Sequence, residues 1–189
     1  MLLSNIFDDF NLSTPEIESV VARFKKIDYQ KGDIILDTGS TVKYQYYVLS
    51  GCLRTFFVDE KEKEHTLQFA IKDWWVSDYT AYFSSGKAIM TIECLQDATV
   101  YRISREQVEN IYRETPKLEA FFRKKLEGGF ATLQRRVLSN LADSAEDRYL
   151  AFLKDYPEIE RYIKNYHIAS YLGITTESLS RIRKNLAKK

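Results

Sequence analysis

Cysteine is scarce in this chain. Cys52 and Cys94 are the two among 189 residues, far apart and without a CxxC spacing. That excludes a disulfide framework or a clustered thiolate metal site, and both read as buried small side chains. Histidine is equally scarce. His65 and His167 stand alone, and no HExxH, GxSxG or P-loop pattern occurs, so the residues point away from an enzyme and name no metal ligand and no cofactor. No run reaches the roughly 18 apolar residues of a membrane span. The opening Met1-Leu2-Leu3-Ser4-Asn5 lacks the basic start and long apolar core of a signal peptide, so a cytoplasmic protein with no membrane partner is expected. Three prolines and seven glycines leave no collagen-like or linker-like stretch, and there is no internal repeat.

An excess of one charge is also missing, since the net charge is +1, but the distribution is uneven. Residues 1–115 carry 13 Lys/Arg against 18 Asp/Glu, whereas residues 160–189 carry 7 against 2. An acidic body with a compact basic end is the asymmetry of a protein that touches phosphate at one end. A solvated lysine-rich terminus gives the same count, so charge needs a motif beside it. What is plentiful is aromatic residues, 13 Tyr and 11 Phe, enough with the aliphatics to build a packed core.

Ser13-Thr14-Pro15-Glu16 reads as a helix start with an N-cap, an early Pro and a capping-box Glu, and Ile17, Val20, Val21 and Phe24 follow at helical spacing. From about Ile27 to Ile103, short β-branched and aromatic runs are cut by turns. Ile34–Leu36, Tyr46–Leu49, Cys52–Val58, Thr66–Ile71, Ile89–Leu95 and Thr99–Ile103 are separated by Gly32, Gly39, Gly51 and the charged turn 59–64. This predicts an all-β barrel or roll. Ser104-Arg105-Glu106-Gln107 starts another helix, broken at Thr115-Pro116.

Beyond Pro116, Leu118, Phe122, Leu126, Phe130, Leu133, Val137 and Leu141 recur every three or four residues, an apolar stripe on a helix of six or seven turns. One small barrel is not expected to cover so long a stripe, so pairing with a second copy is expected. A stripe packed inside one subunit is the alternative. Gly128-Gly129 interrupts it at a cost of roughly 1–2 kcal/mol of helix propensity and permits a bend or a close approach.

After Tyr156-Pro157, residues 165–184 carry the most specific pattern. Ile168, Ala169 and Leu172 make the inner face of a short helix, Gly173 a sharp turn, Ile174 an apolar plug and Thr175 an N-cap. Leu179 and Ile182 make the buried face of a second helix. Its other face offers Thr176, Glu177, Ser178, Ser180, Arg181 and Lys184, groups able to meet base edges or phosphates. This is a helix-turn-helix, with a small residue where the helices cross and a glycine at the turn. A helical hairpin that only closes a core is the bland alternative. His167, inside the first helix, is assigned a capping or phosphate-contact role.

With Lys31-Gly32-Asp33-Ile34-Ile35, Gly39 and Tyr46-Tyr47-Val48-Leu49-Ser50-Gly51-Cys52-Leu53-Arg54 beside that motif, the sequence resembles the cyclic-AMP receptor protein / FNR (Crp/Fnr) family of transcription regulators over nearly its whole length. The resemblance implies an α+β chain. An N-terminal double-stranded β-roll sensor spans residues 1–115, a dimerisation helix 116–142 and a helix-turn-helix domain 143–189. It implies a homodimer on double-stranded DNA, with RNA polymerase a further partner, and Thr175, Thr176, Glu177, Ser178, Arg181 and Lys184 as the DNA-contacting set. Glu177 and Arg181 match the base-reading pair. Thr176 stands where the family often has an arginine, so the operator is expected to differ.

The resemblance also shows departures. The Gly-Glu pair that takes the ribose in cyclic-AMP binders falls at Ser77-Asp78, and the Arg-Ser pair that takes the phosphate falls at Ala88-Ile89. Neither Ala88 nor Ile89 supplies a cation, and Lys87 does not replace a bidentate guanidinium, so control by cyclic AMP is not expected. The iron–sulfur branch needs N-terminal cysteines, and none precedes Cys52. A lone strand histidine, His65, reads as structural rather than haem-binding. What remains is a pocket lined by Trp74, Trp75, Ser77, Asp78, Tyr79, Tyr82, Ala88 and Ile89. It is either open to an unknown small-molecule effector of apolar or aromatic character or filled by its own side chains. The family's β-hairpin wing is expected to be shortened, with Lys184, Lys188 and Lys189 supplying phosphate contacts. A ligand-binding sensor without sequence-specific DNA binding is the alternative function.

Overall fold

The computed structural model describes residues 6–7, 12–157 and 159–188. Met1–Asn5 and Lys189, both read above, lie outside them. Helix α1 (Thr14–Val21) starts at the expected capping box, Ser13 and Glu16 satisfying each other's backbone ends. Eight strands follow: β1 (Lys25–Tyr29), β2 (Ile34–Leu36), β3 (Tyr44–Ser50), β4 (Leu53–Val58), β5 (Glu64–Ala70), β6 (Trp75–Val76), β7 (Thr91–Cys94) and β8 (Ala98–Ser104). The short helix α2 (Tyr79–Ser84) interrupts them between β6 and β7. All pairings are antiparallel. They form two four-stranded sheets in the orders β1-β8-β3-β6 and β2-β7-β4-β5. The two sheets close on a shared core of Val48, Leu53, Ile92, Cys94 and Val100, the predicted roll. Gly51, between β3 and β4, has φ +91°, and a Cβ there would overlap the Asp97 carbonyl and Ala98, so only glycine fits the turn.

Helix α3 (Arg105–Glu114) is N-capped by Ser104, whose hydroxyl accepts from the Gln107 amide at 3.2 Å, a device worth about 1 kcal/mol. Helix α4 runs without interruption from Lys117 to Ala142, and nothing lies within 4 Å of a Cβ built on Gly128 or Gly129. Its stripe is divided. Leu118 and Phe122, assigned from sequence to a second copy, are buried with Phe121 against α1, α3 and the outer face of the first sheet. The roll's own Trp75 packs edge-on to Phe121 and Phe122, so the first two turns are covered within the chain. From Leu126 onward the face is uncovered, with Phe130, Leu133, Val137, Leu138 and Leu141 exposed.

Helix α5 (Ala145–Asp155), a 3-10 turn at Ile159–Arg161, α6 (Asn165–Leu172) and α7 (Thr176–Leu186) complete the chain. They do not form a separate ball. Their core residues Tyr149, Phe152, Tyr156, Ile168 and Leu172 share one cluster with Cys52, Phe69 and Leu95 of the roll.

Candidate nucleic-acid interface and the roll pocket

Helices α6 and α7 are joined by Gly173-Ile174-Thr175, with Gly173 in the left-handed region at φ +67° and its amide bonded back to the end of α6. The Thr175 hydroxyl accepts from the Ser178 amide at 3.2 Å and thereby caps α7. Ile168, Ala169, Leu172, Leu179 and Ile182 are all buried between the two helices and the rest of the cluster.

On the opposite face of α7, Glu177, Ser180, Arg181 and Lys184 are exposed, while Thr176 and Ser178 are half-buried. Arg181 and Lys184 make no ion pair or hydrogen bond among the described residues, so their donors are free for a partner. Arg183, between them in sequence, is used internally. It bonds Glu160, the Tyr149 hydroxyl at 3.1 Å and Asn165 Oδ1 at 2.7 Å, fastening α7 to the elements before it. Hydrogen bonds from its own amide and from the Thr175 and Thr176 hydroxyls hold the Glu177 carboxyl below the ordinary carboxylate value, so it stands ionised as an acceptor, the state that reads a cytosine amino group.

The eight residues assigned to one roll pocket are not gathered round one cavity. Trp75 points out of the roll to Phe24, Tyr47 and Phe122. Trp74 packs on Tyr156 of the C-terminal helices at 5.5 Å. Ile89 is 58% exposed. Ser77, Asp78, Tyr79, Tyr82 and Ala88 do sit together, but they close the space rather than line it. Ser77 Oγ donates to the Tyr44 carbonyl, and Tyr82 and Ala88 belong to the roll core. Asp78 is fully buried. Its Oδ1 accepts from the Ala81 amide (3.2 Å) and the Thr80 hydroxyl (2.8 Å), and its Oδ2 from the amides of Ile89 (2.8 Å) and Met90 (3.2 Å). Lys87 turns away to the Thr41 hydroxyl. Cys52 and Cys94 are buried and free, burial pushing each thiol up to about 12.

Roll and reader are joined by a polar seam that no motif marks. Arg54 on β4 is 1% exposed. Its guanidinium meets Glu64 Oε2 at 2.5 Å and Glu93 Oε1 at 2.7 Å, the latter as an ion pair bent too far for a hydrogen bond, and it also bonds Nδ1 of His167 on α6. His167 therefore neither caps its helix nor faces a phosphate. It is buried on the side of α6 that meets Arg54 of the roll. Burial first, and then Arg54 and Lys164, lower its pKa to about 4, so it is neutral. Arg136 of α4 adds a second clamp, donating to the Thr66 and Leu67 carbonyls of β5 and to the Tyr171 carbonyl at the end of α6. Ser170 completes the seam, accepting from the Thr66 amide and donating to the Glu64 carbonyl, both at 2.9 Å. Beside it, a surface depression of about 400 Å³ is lined by Arg54, Glu64, Tyr166, Ser170, Ile174 and Thr176. His65 is tied to Asp59 at 2.7 Å and stacked on Phe57, a structural role as expected.

Residues 26–115 match the family described as Cyclic nucleotide-binding domain. The chain is 22% identical over 180 residues to the fumarate and nitrate reduction regulatory protein of Salmonella typhi, covering 88% of this chain and 70% of that one. Among solved structures it is similar in fold to CLP of Xanthomonas campestris, described as a c-di-GMP-responsive global regulator, with TM-score 0.73, 16% identity and 93% and 92% of the two chains covered. It is also similar to a transcriptional regulator from Eubacterium rectale assigned to the Crp/Fnr family, with TM-score 0.74, 21% identity and 97% and 88% covered.

Proposed function

Because the chain belongs to the Crp/Fnr family of regulators, we propose that it is a homodimeric DNA-binding transcription regulator rather than an enzyme, working in the cytoplasm and meeting RNA polymerase at its promoters. The observation that carries this reading is α7, whose Glu177, Ser180, Arg181 and Lys184 are exposed, with the Arg181 and Lys184 donors unused among the described residues, beside a buried face that fixes the helix. Its units are the roll (1–115), the connecting helix (116–142) and the reader (143–189). The uncovered stripe from Leu126 to Leu141 takes the same stripe of a second copy. The pair presents two α7 helices to major grooves about one helical turn apart. Thr175 and Ser178 are occupied in capping, so within the DNA-contacting set the base-reading work falls to Glu177 and Arg181.

A cyclic nucleotide does not fit the roll. Its phosphate would need a cation where Ala88 and Ile89 stand, and the amides of Ile89 and Met90 are already taken. Control by cyclic AMP is therefore not part of the reading.

Selection of bound sequences from a random duplex pool tests it directly. A pseudo-palindromic site is expected. Arg181→Ala should weaken binding to it by about 1–3 kcal/mol and relax one position per half-site, whereas Lys188→Ala should mainly lower the salt slope, by about 1. No enriched sequence, or an Arg181→Ala protein with unchanged preference, would overturn the assignment.

A further inference from the structure

We infer that Asp78 is a built-in anion: its carboxylate occupies the place on the Ile89 and Met90 amides that the phosphate or carboxylate of a small ligand would take, so the chain itself completes the roll. An N-cap explains part of what Asp78 does, because the Ala81 amide and the Thr80 hydroxyl belong to the first turn of α2. It does not explain the bonds to Ile89 and Met90, which lie 11 and 12 residues away in the segment leading into β7. The four donors divide two and two between the carboxylate oxygens, the pattern of a bound oxyanion. All four are neutral. The nearby cations are committed elsewhere, Lys87 to Thr41 and Arg105 to the Tyr82 and Phe83 carbonyls at the far end of α2. A second anion entering this spot would meet a buried negative charge and no free donor. If the carboxylate is removed, the amides of Ala81, Ile89 and Met90 converge on an emptied site suited to a small oxyanion such as formate, acetate or phosphate. This rests on the geometry of the roll and not on DNA reading, so either can fail alone.

Thermal unfolding of the full chain in chloride, formate, acetate and phosphate at matched ionic strength tests the inference. Wild type should show no anion-specific shift. Asp78→Ala should melt lower by about 5 °C or more in chloride and regain half or more of the loss in formate or acetate. Asp78→Asn, which turns an NH₂ toward the same donors, should melt lower without regaining stability. Amide exchange on wild type, which needs no variant to fold, should find Ile89 and Met90 strongly protected. The inference is overturned if Asp78→Ala melts like wild type or melts lower without rescue by any of the three anions. It is also overturned if the two amides exchange freely, or if calorimetry finds saturable cyclic-nucleotide binding to wild type.

Discussion

The roll interior and the roll–reader seam each hold a fully buried charged side chain, Asp78 and Arg54, and they satisfy it in opposite ways. Asp78 is held by three backbone amides and one hydroxyl, all within 12 residues of it. Arg54 is held by side chains of Glu64, Glu93 and His167, the last 113 residues away on the reader. Backbone amides do not titrate and move only with the fold, so the pocket is fixed. Every partner of Arg54 is an ionisable side chain, and one belongs to another unit. In this chain the contacts between ionisable side chains that hold a buried charge lie between roll and reader, not inside the roll.

The largest expected effect comes from removing the seam's charge. Arg54→Met keeps the stem and drops the guanidinium, leaving the Glu93 carboxylate, whose pKa burial already raises, without its counter-ion and His167 without its donor. Deleting one partner of a buried ion pair costs about 3–5 kcal/mol. Urea unfolding should show that loss in the midpoint. A loss under about 1 kcal/mol would mean that the seam is held by its apolar cluster and not by its charge.

The next effect separates the two regions by pH. A guanidinium has no acceptor, so His167 Nδ1 must accept from Arg54, and the docked imidazole is neutral. Its pKa is lowered from 6.5 to about 4. Between those values the undocked ring binds a proton that the docked ring refuses. The contribution to stability is therefore full above about pH 6.5 and is lost as pH falls toward about 4, amounting to about 3 kcal/mol at most. His167→Gln offers Arg54 an amide oxygen and does not titrate, so its stability should fall less than that of wild type between about pH 7 and about pH 5. Glu93, whose pKa burial raises, is present in both proteins. Parallel profiles would remove His167 from the seam's pH response.

Much of this was legible in the sequence because it is local. Gly173, Thr175 and the apolar positions 168, 169, 172, 179 and 182 specify the reader over less than 20 residues, and Ser13 and Ser104 mark helix starts by their own side-chain bonds. The failures have two causes. Periodicity shows that a face is apolar but not what covers it, so Leu118 and Phe122 were assigned to a partner although α3 and the first sheet cover them. Trp74 closes the turn bonded to the Ile71 carbonyl and Trp75 opens β6, so adjacency in sequence does not bring the two rings into one pocket. Arg54 did leave a trace, a lone cation inside Cys52-Leu53-Arg54-Thr55-Phe56-Phe57-Val58. Its partners on β7 and α6 are set by topology and could not be read from a pattern.

The smallest effect tests the fixed side of the comparison. Thr80 donates to Asp78 Oδ1 at 2.8 Å, and Thr80→Val removes that hydroxyl at nearly constant shape. If the carboxylate is seated on backbone amides, three of its four donors remain, no buried amide is orphaned, and the loss should stay below about 1 kcal/mol. The unfolding midpoint should move little, and the Ile89 and Met90 amides should remain protected from exchange. A loss of about 2 kcal/mol or more, with those amides exposed, would mean that the side-chain hydroxyl organises the site. The Asp78 site would then depend on side chains as the seam does, and the contrast between a roll interior set by backbone and a seam set by side chains would disappear.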